Sequence, residues 1–206
     1  MNTQRIGLFG GSFDPVHNGH LHIARAFADE TGLDTVIFLP AGRPYHKTGR
    51  PAAAEHRLAM VELAAAADPR FAVSDCDIVR SGATYTDDTV QIFRQQFPRS
   101  ELWWLMGADS LMQLHTWKNW RHLVQNTRIA VAERPGQAQA AVPPELRTWM
   151  DGAKAGGSLK ILAAAPYDTS SSRIRQTLVQ GGNADCWLPE AVADYIRRHR
   201  LYADAG

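Results

Sequence analysis

Short apolar runs broken by glycine or proline alternate along the chain with longer stretches whose apolar residues recur at helical spacing. Ile6 to Phe9 is one such run, halted by Gly10 and Gly11, and predicts a buried strand ending in a tight turn. A helix follows from about Asn18, carrying Leu21, Ile23, Ala24, Ala26, Phe27 and Ala28. Val36 to Leu39 predicts a second buried strand, stopped by Pro40, and the helix between has the length of a βαβ crossover. Ala41 to Ala52 is basic and rich in Gly and Pro, so it reads as a surface loop of the kind that often carries function. Leu58, Met60, Val61 and Leu63 support a helix from about Ala53 to Ala67. Phe71 to Val73 and Asp77 to Val79 read as short strand pieces, and Thr86 or Asp87 as the cap of a helix running to Phe97.

Glu101 to Met106, Thr127 to Ala132 and Leu159 to Ala163 are further strand candidates, with short helical turns over Asp109 to Gln125. Ser170 to Gln180 and Pro189 to His199 read as helices, and Gln137 to Gly157 as a variable helical excursion. The alternation predicts one α/β domain over the whole chain, a mostly parallel sheet with helices on both faces. In such a sheet ligands gather beyond the carboxyl ends of the strands. That rule selects Gly10 to His20, Pro40 to Lys47, Gly107 to Asp109 and the helix start near Ser170.

Charge adds little to this picture. Lys plus Arg number 22 against 21 Asp plus Glu, a net charge of +1, so no bulk attraction to a polyanion is expected. No basic run interleaved with aromatics suggests a nucleic-acid partner. Cys76 and Cys186 lie far apart, which argues for a reducing compartment and against a disulfide or zinc scaffold. The N-terminal run makes a poor signal peptide, and no apolar stretch reaches a membrane span. The expectation is a cytoplasmic protein, intact from Met1, with no membrane partner; a homo-oligomer is compatible with the sequence.

Candidate chemistry centres on GGSFDPVHNGH, Gly10 to His20. Paired glycines let a backbone approach a bulky anion, and the amides of the next helix can receive phosphate oxygens. His17 and His20 are three apart and share a face if the helix begins at or just before His17. Spacing alone leaves two readings open, a phosphate-binding turn or a glycine turn with two surface histidines. Neither G-x-G-x-x-G nor a P-loop pattern is present.

The full string resembles the H-x-G-H signature of the nucleotidylyltransferase superfamily, and within it the bacterial nicotinate-nucleotide adenylyltransferase family. The resemblance continues through PYHK at Pro44 to Lys47, Arg57, TYTDDT at Thr84 to Thr89, MGADSL and HTWKNW between Met106 and Trp120, ERPG at Glu133 to Gly136, and SSSRIR at Ser170 to Arg175. It implies a Rossmann-like fold and adenylyl transfer from ATP to nicotinate mononucleotide, giving nicotinate adenine dinucleotide and pyrophosphate. It implies that His17, His20, Lys47 and Arg175 form the catalytic set, and that Gly10, Gly11, Ser12, Phe13, His17, His20, Ser171, Ser172 and Arg175 bind ATP. Lys47, Thr84, Tyr85, Thr86, Asp109 and Trp117 would hold the acceptor, with Trp117 against its pyridine ring. Two departures stand out: Ser12 replaces the usual Thr, and Thr169 stands where the late block usually has Ile.

Elementary chemistry agrees with that assignment. An acceptor phosphate is already anionic and can attack the α-phosphorus of ATP directly, so positioning and charge stabilisation should carry the work without a covalent adenylyl-enzyme. Mg²⁺ is expected to arrive on the ATP phosphates, with no metal held by the protein's own side chains. Arg57 reads first as an ordinary solvated charge on a helix that could bridge loops, and Trp120 as core. Asp109 suits a helix cap as well as binding, and Trp117 suits core as well as stacking. The acid and amide acceptors are not separated by sequence. A regulatory nucleotide-binding protein that has lost catalysis is disfavoured by the presence of both histidines and their basic partners.

Overall fold

The computed structural model describes residues 3–42, 51–133, 142–165 and 167–203. Six strands form one sheet: β1 (Arg5–Gly11), β2 (Thr35–Pro40), β3 (Phe71–Val73), β4 (Glu101–Gly107), β5 (Arg128–Ala132) and β6 (Leu159–Ile161). Their order is β3-β2-β1-β4-β5-β6, and every pairing among them is parallel. A purely parallel sheet must be covered on both faces. Accordingly, β2 and β4 are buried along nearly their whole length.

Side-chain alternation along the strands divides the core in two. Phe38 and Leu105 point toward one face, where they meet α1 (Asn18–Thr31), α2 (Ala54–Ala65), α8 (Ser171–Val179) and α9 (Glu190–Arg198) through Leu21, Phe27, Met60, Ile174, Val192 and Ile196. Ile6, Leu8, Leu39 and Trp104 point the other way, toward α4 (Thr86–Gln96), α5 (Ala108–Met112), α6 (Trp120–Asn126) and α7 (Pro144–Ala155) through Val90, Phe93, Leu111, Leu123 and Leu146. Each helix turns an apolar stripe to the sheet and a polar face outward. Trp120 is buried in this second core, as expected from the sequence.

Three sequence expectations are corrected. β1 does not stop before the glycines: Gly10 and Gly11 continue the ladder opposite Leu39 and Pro40. A Cβ on Gly10 would lie 2.8 Å from the Trp104 ring, so this position needs the smallest residue for close packing and not for a turn. The turn falls at Phe13, whose φ is +44°. Asp77 to Val79 is no strand but part of α3 (Cys76–Val79), a single helical turn. β3 is an edge strand of three residues, and after it the amides of Ile78 and Val79 close onto the Asp75 carbonyl rather than extending the sheet. The helix at Thr86 takes Tyr85 at its capping position. The described part of the expected helical excursion is α7, which connects β5 to β6 and buries Leu146 and Ala153; residues 134–141 lie outside the described residues.

Candidate active site

The chain leaves β1 for β2 on one side and later returns to place β4 on the other. That reversal opens a crevice beyond the carboxyl ends of β1 and β4. A cleft of about 940 Å³ occupies it, lined by Gly10 to Phe13, His17, Gly19 and His20 on one side and by Thr84, Thr86, Ser110 and Trp117 on the other. A second cavity of about 450 Å³ adjoins it, sharing Thr84, Thr86, Ser110 and Trp117 and adding Tyr85, Asp109 and Lys118.

His17 occupies the capping position of α1 with an extended backbone, and His20 lies in the first turn. Their rings stack with centroids 3.7 Å apart and planes inclined by 26°. The His17 amide donates to Nδ1 of His20 at 3.2 Å, which makes that nitrogen an acceptor. In the neutral ring the proton therefore sits on Nε2. His20 is further held edge-on against Phe13, centroids 5.1 Å apart. Gly19 lies between the histidines because a Cβ there would come within 3.0 Å of the His17 imidazole. Neither α1 nor α8 carries an acidic residue in its first turn. The partial positive charge at their N-termini is thus not offset by an acidic side chain, which favours an anion there.

A buried network fixes the loop that carries these histidines. The Arg57 guanidinium, 1% exposed, donates to the carbonyls of Ser12 at 2.8 Å, Gly42 at 3.1 Å and Ala52 at 3.1 Å. It does bridge loops, but the expectation of a solvated charge is corrected: the guanidinium is buried because three backbone carbonyls replace its water. Burial pulls its pKa below the usual guanidinium value, and the charge of Asp14 opposes that shift. Asp14 is itself buried and accepts from Tyr202 Oη at 2.7 Å and the Ala52 amide at 3.1 Å. Burial and the neighbouring Asp14 carboxylate push the Tyr202 phenol well above its ordinary range.

α8 reaches the same loop. Ser170 caps the helix by accepting from the Arg173 amide at 3.2 Å. Ser171 Oγ donates to the Pro15 carbonyl at 3.0 Å, and Arg175 Nη1 donates to the Asp14 carbonyl at 2.7 Å. Arg175 Nη2 also contacts Ser172 Oγ at 3.4 Å. Ser171, Ser172 and Arg175 therefore gather behind the histidine loop and do not line the cleft itself. The described residues that do line the larger cleft include no lysine or arginine. Lys47, expected to meet phosphate charge, lies outside the described residues, as do PYHK and most of ERPG.

On the opposite wall, the two blocks expected to hold an acceptor are tied together. Asp87, buried at the start of α4, accepts from Asn119 Nδ2 at 3.1 Å and pairs with His122 Nδ1 at 2.8 Å. Asp88 pairs with Lys118 at 3.0 Å, and the same ammonium lies 4.6 Å from the centroid of the Tyr85 ring. These contacts bring Thr84 to Thr86 beside half-buried Trp117, whose indole borders both cavities. Asp109 sits exposed in the first turn of α5, with Gly107 at the cap instead. Asp77, not singled out from sequence, lines the cleft and accepts from Thr89 Oγ1 at 2.8 Å and Arg80 Nη2 at 3.0 Å. Burial raises its carboxyl above the ordinary value, while the Thr89 bond and the Arg80 charge act the other way.

Fold and cleft together define a doubly wound parallel α/β protein with its ligand site at the switch point of the sheet, and a sequence model described as cytidylyltransferase-like matches residues 8–177. A protein of Neisseria meningitidis named probable nicotinate-nucleotide adenylyltransferase is 63% identical over 199 residues, covering 97% of this chain and 98% of that one. Another of that name from Chromobacterium violaceum is 46% identical, covering 96% and 98%. The chain belongs to the cytidylyltransferase-like family and, within it, to the nicotinate-nucleotide adenylyltransferases. The solved structure of Plasmodium falciparum nicotinic acid mononucleotide adenylyltransferase complexed with NaAD superposes with a TM-score of 0.74 over 97% of both chains at 17% identity, a likeness of fold.

Proposed function

We propose that the chain transfers the adenylyl group of ATP to nicotinate mononucleotide, releasing pyrophosphate, and that it does so in the cleft between β1 and β4. The observation that carries this reading is the stacked His17–His20 pair at the N-terminus of α1, opening into that cleft. A dinucleotide must span a donor and an acceptor region. At about 940 Å³ the cleft stands at the upper end of the roughly 300–1,000 Å³ typical of small-molecule sites, and a second cavity adjoins it. The family membership, and the names its relatives carry, support the same reaction.

ATP lies along Gly10 to Phe13 with its phosphates at His17, His20 and the N-termini of α1 and α8. The acceptor lies toward Thr84 to Thr86, Asp109 and Trp117, its pyridine ring on the indole. An acceptor phosphate oxygen attacks the α-phosphorus in line as pyrophosphate departs. Nε2–H of His20 donates to the developing phosphoryl charge, and His17 supports the same group from the stacked position. Ser171 and Arg175 hold the loop from behind through the Pro15 and Asp14 carbonyls, and Lys47 is assigned to the phosphate charge by its place in the family motif. Among the described residues no His, Cys, Asp or Glu cluster is arranged to hold a metal ion. Mg²⁺ carried by the nucleotide's own phosphate oxygens would neutralise phosphate charge in this cleft.

Among the described residues no helix is long and apolar enough to cross a membrane. The reaction is tested by pyrophosphate release from ATP and Mg²⁺ with nicotinate mononucleotide or its amide as acceptor. Turnover with a preference for the acid is expected; no turnover with either would overturn the assignment, and a strong preference for the amide would reverse the acceptor.

A further inference from the structure

The proposed reaction accounts for the histidines, the loop network and the acceptor wall, but leaves a buried, unbonded hydroxyl in the cleft without a task. Thr169 lies between β6 and α8 and lines the cleft beside Tyr167 and Asp168. Its backbone is set locally, the amide donating to the Tyr167 carbonyl at 2.8 Å, and Ser170 directly after it caps α8. Its methyl packs over Gly19, with Cγ2 3.2 Å from where a Cβ on that glycine would stand; the same point lies 3.0 Å from His17 Nδ1. Its hydroxyl oxygen is buried and has no hydrogen-bond partner.

A buried hydroxyl with no partner is costly, and valine would cover Gly19 with the same shape at no such cost. Neighbouring Ser170 and Ser171 both make bonds within the protein. The hydroxyl at 169 is the exception, and it sits at the histidine end of the cleft. We propose that Thr169 is a donor-nucleotide residue whose Oγ1 donates a hydrogen bond to an oxygen of bound ATP next to His17. This rests on the adenylyl-transfer reading and adds to it a side chain that contacts the donor nucleotide. The site then holds a group that destabilises the free protein slightly and is satisfied only by substrate.

The test compares wild type, Thr169→Val and Thr169→Ser by steady-state kinetics in both substrates, by calorimetric titration with ATP, and by thermal melting. Thr169→Val is expected to raise the KM and Kd for ATP about tenfold, the effect of one lost hydrogen bond, while the acceptor KM stays within about twofold. Its Tm should equal or exceed that of wild type, and Thr169→Ser should retain near-normal ATP affinity. Should the valine variant fail to fold, Thr169→Ala serves in its place against the serine variant. An ATP affinity unchanged in the valine variant, an equal loss for both substrates, or a serine variant as weak as valine would each overturn the assignment of Thr169 alone. A wild-type protein that neither binds nor turns over ATP would overturn the reaction as well.

Discussion

Replacing Arg57 with methionine probes whether the histidine loop is held by the buried guanidinium. Methionine retains most of the apolar stem and removes three charge-assisted donors, to Ser12 at 2.8 Å, Gly42 at 3.1 Å and Ala52 at 3.1 Å. Each buried carbonyl left without a donor costs about 1–3 kcal/mol. Against that stands relief from burying a cation, which lowers the Arg57 pKa in the folded protein. The Ser12 carbonyl, at the cleft edge, regains water. A net loss of about 3 kcal/mol follows, or a Tm lower by roughly 6–12 °C for a chain of this size. Urea titration and thermal melting followed by circular dichroism measure it directly. Arg57→Lys should fall between the two, since one ammonium cannot reproduce the fork that reaches three carbonyls. Below its melting point the methionine variant should also show a raised KM for ATP. A stability loss under about 1 kcal/mol would refute the reasoning, because the three carbonyls would then be satisfied without Arg57.

Three further outcomes follow from the same geometry. His20→Ala should lower kcat by about a hundredfold or more, the effect of losing one donor to developing charge, while the Tm changes little; unchanged turnover removes His20 from the catalytic set. Trp117→Ala should act chiefly on the acceptor, raising its KM about tenfold with the ATP KM nearly constant, and an unaltered acceptor KM would count against stacking. Asp77 gives a pH dependence. Because its folded pKa is raised, the folded state binds this proton more tightly than the unfolded chain, so the contribution is largest below about 3.9 and is lost as pH rises through the folded value. The stability of Asp77→Asn relative to wild type should therefore increase with pH across that window, and parallel stability curves would contradict it.

The sheet was legible because parallel strands buried on both faces leave continuous apolar runs, as in Val36 to Leu39 and Glu101 to Met106. Asp77 to Val79 misled for the same reason: three residues with two apolar side chains are too short for periodicity to tell a helical turn from a strand. Gly10 and Gly11 misled differently, since a glycine demanded by a neighbouring indole looks in sequence like one demanded by a turn. The histidine motif and the Thr84 to Thr86 and Trp117 blocks were visible, and the structure brings them to one cleft. What stayed hidden is the support. Asp14, Tyr202, Ser171 and Arg175 meet across 150 or more residues, partly through backbone carbonyls that have no sequence signature.

Direct transfer in this cleft is the central claim, and following ATP labelled at the α-phosphorus tests it most directly. With Mg²⁺ and nicotinate mononucleotide, the label should pass into the dinucleotide with one pyrophosphate released per product, and no label should stay on the protein when acceptor is withheld. Label retained on the protein as a competent intermediate, or none in the dinucleotide, would contradict it.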